Sequence, residues 1–351
     1  MKKVVFLVQN GVGGAERMAL AMAKMLPEDS FRVTFVIVLR GGGTSIKEFI
    51  PEGYSVVDIP DGNAIKIMWN LFKTVKKLKL DIVFSSAMYL STKILPFKWL
   101  LRGTRFVIRC ENYMYTYSNA QKKRISFTYP KADAIIAQTE EMAQELYGIG
   151  IKEQLVHVAH NPIDTDYINE HLKDSTNPYP QNGNKVIVAS GRFAYQKGFD
   201  MLTEAFAKLA VNDPKVDLYI LGDYDYEEGV VLRQIKTVAE RNRIEERIHC
   251  MGFKKNPYPY IKYADCFALS SRWEGLPNVL VESLYLGTPV AAFRCIPIIE
   301  RIVKEGISGY TAKAEDIDSL TTAMKSALEL GRIESTYLPA GKQQIIELIN
   351  G

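Results

Sequence analysis

Short apolar runs alternate with amphipathic segments along almost the whole chain, and that alternation leaves few folds open. The runs at 4–8, 33–38, 82–84, 106–108, 134–137 and 155–158 have the length and continuity of strands buried on both faces. The segments at 15–26, 65–79 and 140–147 carry helical spacing between some of them. Parallel strands need a crossover, and a helix commonly supplies it. The pattern stops at 170–185, which is polar, holds Pro178, Pro180 and Gly183, and has no periodicity, as a linker would. It then restarts. Strands are expected at 186–190, 218–221, 247–251, 266–269 and 290–293, and helices at 201–211, 229–243, 277–286 and 316–330. The expectation is an α/β chain of two doubly wound, Rossmann-like domains, 1–169 and 186–333, facing each other across a cleft.

At 351 residues, with 47% hydrophobic and 24% charged side chains, the composition suits a soluble globular protein of two domains. Cys110, Cys250, Cys266 and Cys295 are scattered, which points to free thiols in a reducing compartment. The apolar run after Lys2 and Lys3 is too short for a signal-peptide core. No stretch approaches the roughly 20 apolar residues of a membrane span. A cytoplasmic protein is expected, without a transmembrane anchor.

Charge is unevenly spread. From Asn63 to Lys131, fourteen lysines and arginines face only Asp81 and Glu111, with Trp69, Phe72, Phe97, Trp99 and Phe127 interleaved. A basic, aromatic surface suits anionic lipid headgroups, so peripheral association with the inner face of a membrane is expected and nucleic acid is not. An ordinary solvated face is the plainer alternative.

Chemistry concentrates between Ser271 and Val290. Glu274 lies just before an expected helix and Glu282 lies inside it, with seven residues between them. Pro277 suits the first turn, where its missing N–H costs nothing. Asn278, Val279 and Leu280 then present backbone N–H groups that suit an anion. Glu282 stands among Val279, Leu280, Val281, Leu284, Tyr285 and Leu286, where a carboxylate is costly unless something binds it. A vicinal diol offers two donors to one carboxylate. The window reads as a pocket for a sugar, a diphosphate and a ribose.

Two Gly-rich turns support this. After the first strand come Gly11, Gly13, Gly14, Ala15, Glu16 and Arg17. After the strand at 186–190 come Gly191 and Arg192, then Lys197 and Gly198. Two cations five residues apart on one loop can meet a diphosphate.

Together these strings resemble the family 4 glycosyltransferases of the glycogen synthase-like superfamily, which are retaining and have the GT-B fold. The resemblance implies that Arg192, Lys197 and Glu274 are catalytic. It implies donor-binding roles for Gly13, Gly14, Gly191, Phe253, Leu276, Pro277, Asn278, Val279 and Glu282, with Glu282 on the ribose and the backbone near Gly252 on the base. It implies an acceptor-binding first domain and a C-terminal segment, 334–351, whose residues 343–350 cross back to that domain.

The chain also departs from the family. No histidine stands in the segment from Ile108 to Asn112, where Glu111 or Asn112 takes that place beside the sugar or acceptor, with Glu16. The segment from Phe293 to Glu300 lacks the usual glycines. His157, His160, His171 and His249 form no metal set by spacing, and the D-x-D strings Asp164–Asp166 and Asp223–Asp225 are short. No metal and no cofactor are expected beyond a nucleotide-sugar co-substrate, for which UDP is the expected nucleotide. The expected acceptor is lipid-linked or otherwise membrane-proximal, in surface-polysaccharide or lipopolysaccharide assembly. A nucleotide-sugar epimerase and a non-enzymatic basic binding protein are the alternatives.

Overall fold

The computed structural model describes residues 1–40, 44–223, 229–335 and 342–351. These fall into two compact units. The first holds β1 (Lys2–Gln9), α1 (Gly14–Met25), β2 (Phe31–Leu39), β3 (Ser55–Pro60), α2 (Ala64–Leu78), β4 (Ile82–Ser85), α3 (Met88–Ile94), β5 (Arg105–Arg109), α4 (Asn119–Thr128), β6 (Ala134–Ala137), α5 (Glu140–Gly148) and β7 (Val156–Val158). The second begins at Ile163. It holds α6 (Thr165–Glu170), β8 (Lys185–Ser190), α7 (Phe199–Asn212), β9 (Val216–Leu221), α8 (Val230–Asn242), β10 (Ile248–Cys250), α9 (Tyr258–Tyr263), β11 (Cys266–Leu269), α10 (Asn278–Tyr285), β12 (Val290–Phe293), α11 (Ile298–Ile302), β13 (Gly309–Ala312) and α12 (Ile317–Leu330).

Each unit is a doubly wound parallel sheet, as the alternation predicts. The first runs β3-β2-β1-β4-β5-β6-β7 and the second β10-β9-β8-β11-β12-β13. The cause is burial on both faces: Val4 to Val8 and Phe35 to Val38 are essentially inaccessible to solvent. In each sheet the strand order reverses between the first and fourth strands, β1 and β4 or β8 and β11. Loops leaving the carboxyl ends of those neighbours diverge to opposite faces and leave a crevice, the usual ligand position in such sheets.

The last helix, α13 (Lys342–Asn350), belongs to the first unit. Ile345 and Ile349, one turn apart, are fully buried in the core built on β1, β2 and β4. Arg105 Nη2 donates to the Leu348 carbonyl at 3.2 Å and Gln344 Nε2 to that of Val158 at 3.0 Å.

Three features differ from the sequence reading. Strands β3 and β13 are absent from it because neither is a continuous apolar run. The short helices α3, α6, α9 and α11 span too few turns to show a period, and α4 buries only Ile125 and Thr128 and so has no apolar stripe. The units divide after Pro162, ahead of the 170–185 stretch expected to be the linker. That stretch packs on the second unit. Tyr179 is buried, its hydroxyl donates to the Tyr260 carbonyl at 2.6 Å, and Tyr263 Oη reaches the Ser175 carbonyl at 3.1 Å.

Candidate functional site

In the second unit, backbone meets backbone at the carboxyl edge of the sheet. The Gly222 N–H donates to the Gly252 carbonyl at 3.0 Å, and a Cβ on Gly222 would stand 1.8 Å from the Gly191 oxygen. Gly198, at φ +62°, leaves only 2.1 Å between a Cβ and the Ser270 oxygen. No other residue fits either close approach without moving the loop. Ser270 Oγ then donates to the Lys197 carbonyl at 2.8 Å. The loop after β8 is thereby fastened to the loop after β11, its neighbour in the sheet.

This fastening brings Lys197 and Glu274 together. Lys197 Nζ lies 2.6 Å from Glu274 Oε1, and Ser271 Oγ donates to the same oxygen at 2.6 Å. Glu274 is 6% exposed. Beside them Arg272 forks onto Asp200 at 3.0 and 2.6 Å and donates to the Tyr195 carbonyl at 2.7 Å, with its guanidinium carbon 3.8 Å from the centre of the Tyr195 ring. Gln196 Nε2 reaches the Trp273 carbonyl at 3.0 Å. Arg192, by contrast, is exposed, with Nη2 3.5 Å from Gln196 Oε1. Sequence reasoning selected both cations and both glutamates. It missed that Lys197 rests on Glu274, and it missed the roles of Ser271, Arg272 and Asp200. Ser271 alone gave a signal, three residues before Glu274.

Glu282 lies in the second turn of α10, 8% exposed. Pro277 is the N-cap, with ψ 92°, so the helix starts at Asn278, one residue later than read. The Pro277 carbonyl accepts from Leu280 N at 3.1 Å and Val281 N at 3.3 Å. Leu276 is buried, whereas Phe253 is 39% exposed.

In the first unit, Gly13 is the extended N-cap of α1, and Glu16 Oε2 occupies the space within 2.6 Å of where its Cβ would be. Gly14, the first helical residue, has nothing within 4 Å of its Cβ position. Ser86 Oγ, just beyond β4, donates to the Ala15 carbonyl at 3.1 Å. Glu111, just beyond β5, accepts from Met88 N at 3.1 Å and Tyr117 Oη at 3.5 Å. Asn112 also hydrogen-bonds Tyr117. Arg109 is 3% exposed and donates Nη2 and Nε to Asn161 Oδ1 at 2.6 and 3.1 Å. Gln138 Nε2 holds the Cys110 carbonyl at 2.6 Å, and His160 Nδ1 lies 2.7 Å from the Gln138 carbonyl. Arg109 and Gln138 were not singled out from sequence, since each follows an apolar strand and reads as its end.

Burial pushes the Glu111 carboxyl from 4.5 up to about 7, with the Glu16 charge adding and the Met88 N–H opposing. Below 4.5 the group is protonated folded and unfolded, with no cost. Between 4.5 and about 7 the unfolded chain releases a proton that the folded chain retains, so stability falls as pH rises. Thermal melts across that window should show this decline, and Glu111→Gln should flatten it.

Among the described residues, no three His, Cys, Asp or Glu side chains converge as a metal would need. Asp164 caps α6 through Tyr167 N at 3.0 Å, while Asp225 lies outside the described residues. The four cysteines are free, Cys110 and Cys266 buried and the other two partly so. On the basic surface Ile65, Trp69, Trp99 and Phe127 are exposed, and Trp69, Phe72 and Phe97 form one ring cluster. Among the described residues, no helix is long and apolar enough to cross a membrane.

Two family models match the chain in order: Glycosyltransferase Family 4 over residues 12–167 and Glycosyl transferases group 1 over 173–344. An uncharacterised glycosyltransferase of Methanocaldococcus jannaschii is 26% identical over 66% of this chain, which spans only 60% of that protein. The N-acetylgalactosamine-N,N'-diacetylbacillosaminyl-diphospho-undecaprenol 4-alpha-N-acetylgalactosaminyltransferase of Campylobacter jejuni is 26% identical over 95% of this chain and 92% of its own. Among solved structures, Anabaena HepE in complex with UDP-glucose superposes with a TM-score of 0.79 at 18% identity, covering 100% of this chain and 98% of that one.

Proposed function

Because the chain belongs to the glycosyltransferases that join a family 4 domain to a group 1 domain, with the GT-B fold, we propose that it moves a hexose or N-acetylhexosamine from a UDP-linked donor to a lipid-linked or membrane-proximal glycan, retaining the anomeric configuration without a metal. The observation that carries this reading is the Lys197–Glu274–Ser271 cluster at the strand-order reversal of the second sheet.

In this reading the bond from the anomeric carbon to the diphosphate breaks, and negative charge grows on the leaving oxygens. Lys197 and Arg192 stabilise that charge, and fixed cations need no reorganisation as it develops. Glu274 offers its carboxylate to the sugar hydroxyls, held in one orientation by Ser271. Glu282 takes the ribose hydroxyls, and the N–H groups of Asn278 and Val279 face the diphosphate. The family resemblance assigns Gly13 and Gly14 to the donor, and Glu16, Glu111 and Asn112 to the sugar or acceptor. The acceptor oxygen forms the new bond on the face the diphosphate leaves, and its proton departs with the product diphosphate.

A panel of nucleotide sugars and nucleotides in thermal-shift assays tests the donor. Stabilisation by UDP and a UDP-sugar is expected, and indifference to every nucleotide would remove this reading. Release of UDP only in the presence of a glycan acceptor then separates transfer from epimerisation. The exposed Trp69, Trp99 and Phe127 amid lysines support peripheral docking on an anionic membrane. Sedimentation with vesicles should increase with anionic lipid and fall with salt, and binding indifferent to lipid charge would refute docking.

A further inference from the structure

Lys93, in α3, is 7% exposed, yet among the described residues no carboxylate, hydroxyl or carbonyl accepts from its ammonium. Its Nζ lies 3.5 Å from the centre of the Tyr89 ring, and Arg40 Cζ lies 4.7 Å from the same centre. The Tyr89 hydroxyl is itself buried with no hydrogen-bond partner among the described residues. Burial, then the charges of Arg124 and Arg40, pushes Lys93 down to about 8. No carboxylate acts on it in the opposite sense.

Lys93 and Arg40 therefore meet at one ring, and the charge of Arg124 adds to theirs. Arg40 directly follows β2, Lys93 lies in the helix directly after β4, and Arg124 lies on α4. Strands β2 and β4 flank β1, so Arg40 and α3 both emerge at the carboxyl edge of the sheet, where ligands enter such folds. A ring contact offsets part of the cost of a buried ammonium, but two further cations beside it raise that cost. An anion offsets the burial and both neighbouring charges at once. In the transfer reading, Arg192 and Lys197 already neutralise the donor diphosphate, which leaves these cations for a second anion.

We propose that Lys93, Arg40 and Arg124, with the Tyr89 hydroxyl, bind a phosphate or diphosphate group carried by the acceptor. This rests on the transferase reading for the word acceptor; the anion site itself does not. Guanidinium forks suit phosphoryl oxygens, and the ammonium adds a point charge. A neutral glycan would leave the cluster uncompensated.

The test uses the full chain, with saturating UDP to fill the donor site, and calorimetric titration with inorganic pyrophosphate. Wild-type protein should bind, and Lys93→Met should bind roughly ten- to a hundredfold more weakly, the scale of a lost charge-assisted contact. UDP affinity should not change. The melting temperature of Lys93→Met should stay or rise, since an uncompensated charge is gone. Arg124→Gln, an exposed position with little risk to folding, should weaken pyrophosphate in the same direction. No binding by wild type, or equal binding by all three proteins, would overturn the proposal.

Phosphatidylcholine vesicles carrying a polyprenyl diphosphate, compared with vesicles carrying the free polyprenol, separate the sources. Lys93-dependent retention on the former alone assigns a lipid-borne diphosphate. Pyrophosphate binding without a vesicle difference assigns a phosphorylated acceptor in solution; both results support the site. A chain that binds pyrophosphate through Lys93 but does not bind UDP would keep this site and lose the donor reading.

Discussion

Lys197→Met should lose about a hundred- to a thousandfold in turnover, roughly 2.7–4 kcal/mol, the effect of removing one preorganised charge-stabilising group. The same substitution should also lower stability. Glu274 is 9% exposed at its side chain and Lys197 19%, so the 2.6 Å pair is largely withdrawn from water. Removing the cation leaves a buried carboxylate with Ser271 as its remaining hydrogen-bond donor among those identified, which costs on the order of 3–5 kcal/mol. The two losses have different cures. In the double variant Lys197→Met, Glu274→Gln, no charge is stranded, and the melting temperature should recover. Turnover should not recover, because nothing replaces the cation beside the leaving diphosphate. Turnover at saturating donor and acceptor, alongside thermal melts of the three proteins, separates catalysis from folding. Full activity in the single variant would remove Lys197 from the reaction.

This pair also marks where the sequence stops being legible. The two doubly wound sheets were readable because most strands are buried on both faces and so appear as continuous apolar runs. Strands β3 and β13 were not, since neither is a continuous apolar run. Glu282 could be singled out because its helical neighbours are apolar, and that property is local. Lys197 and Glu274 are 77 positions apart, and their contact depends on β8 lying next to β11. Strand order is not encoded in periodicity. Arg272 reads as a surface cation until Asp200 and the Tyr195 ring are placed around it. Lys93 is obscured in the same way: its segment has no clear period, and the charges that make it unusual stand near positions 40 and 124. Residues marked by their own local string, Lys197 and Glu274 among them, were found, and the contacts they make with another loop were not.

Glu282 offers the sharpest test of the donor assignment, because its predicted partner can be edited from either side. Its side chain sits in a helix turn flanked by buried Leu280, Val281, Ser283 and Leu284. If that carboxylate takes the ribose hydroxyls, Glu282→Ala should weaken UDP roughly ten- to a hundredfold, as expected for losing hydrogen bonds to a charged group. Turnover at saturating donor should change less. The ribose does not react, so the contact is equally strong in the ground and transition states and contributes to binding rather than to rate. Deoxy-ribose analogues of UDP should bind wild-type protein more weakly by a similar factor. Those analogues should lose nothing further in Glu282→Ala, because the interaction they lack is already gone. That non-additivity is the signature of direct contact, whereas a purely structural Glu282 gives penalties that simply add. Glu282→Gln refines the result: it keeps one acceptor oxygen and should fall between wild type and the alanine variant. Additive losses across the cycle would place the ribose elsewhere and leave Glu282 as a buried carboxylate of the α10 helix.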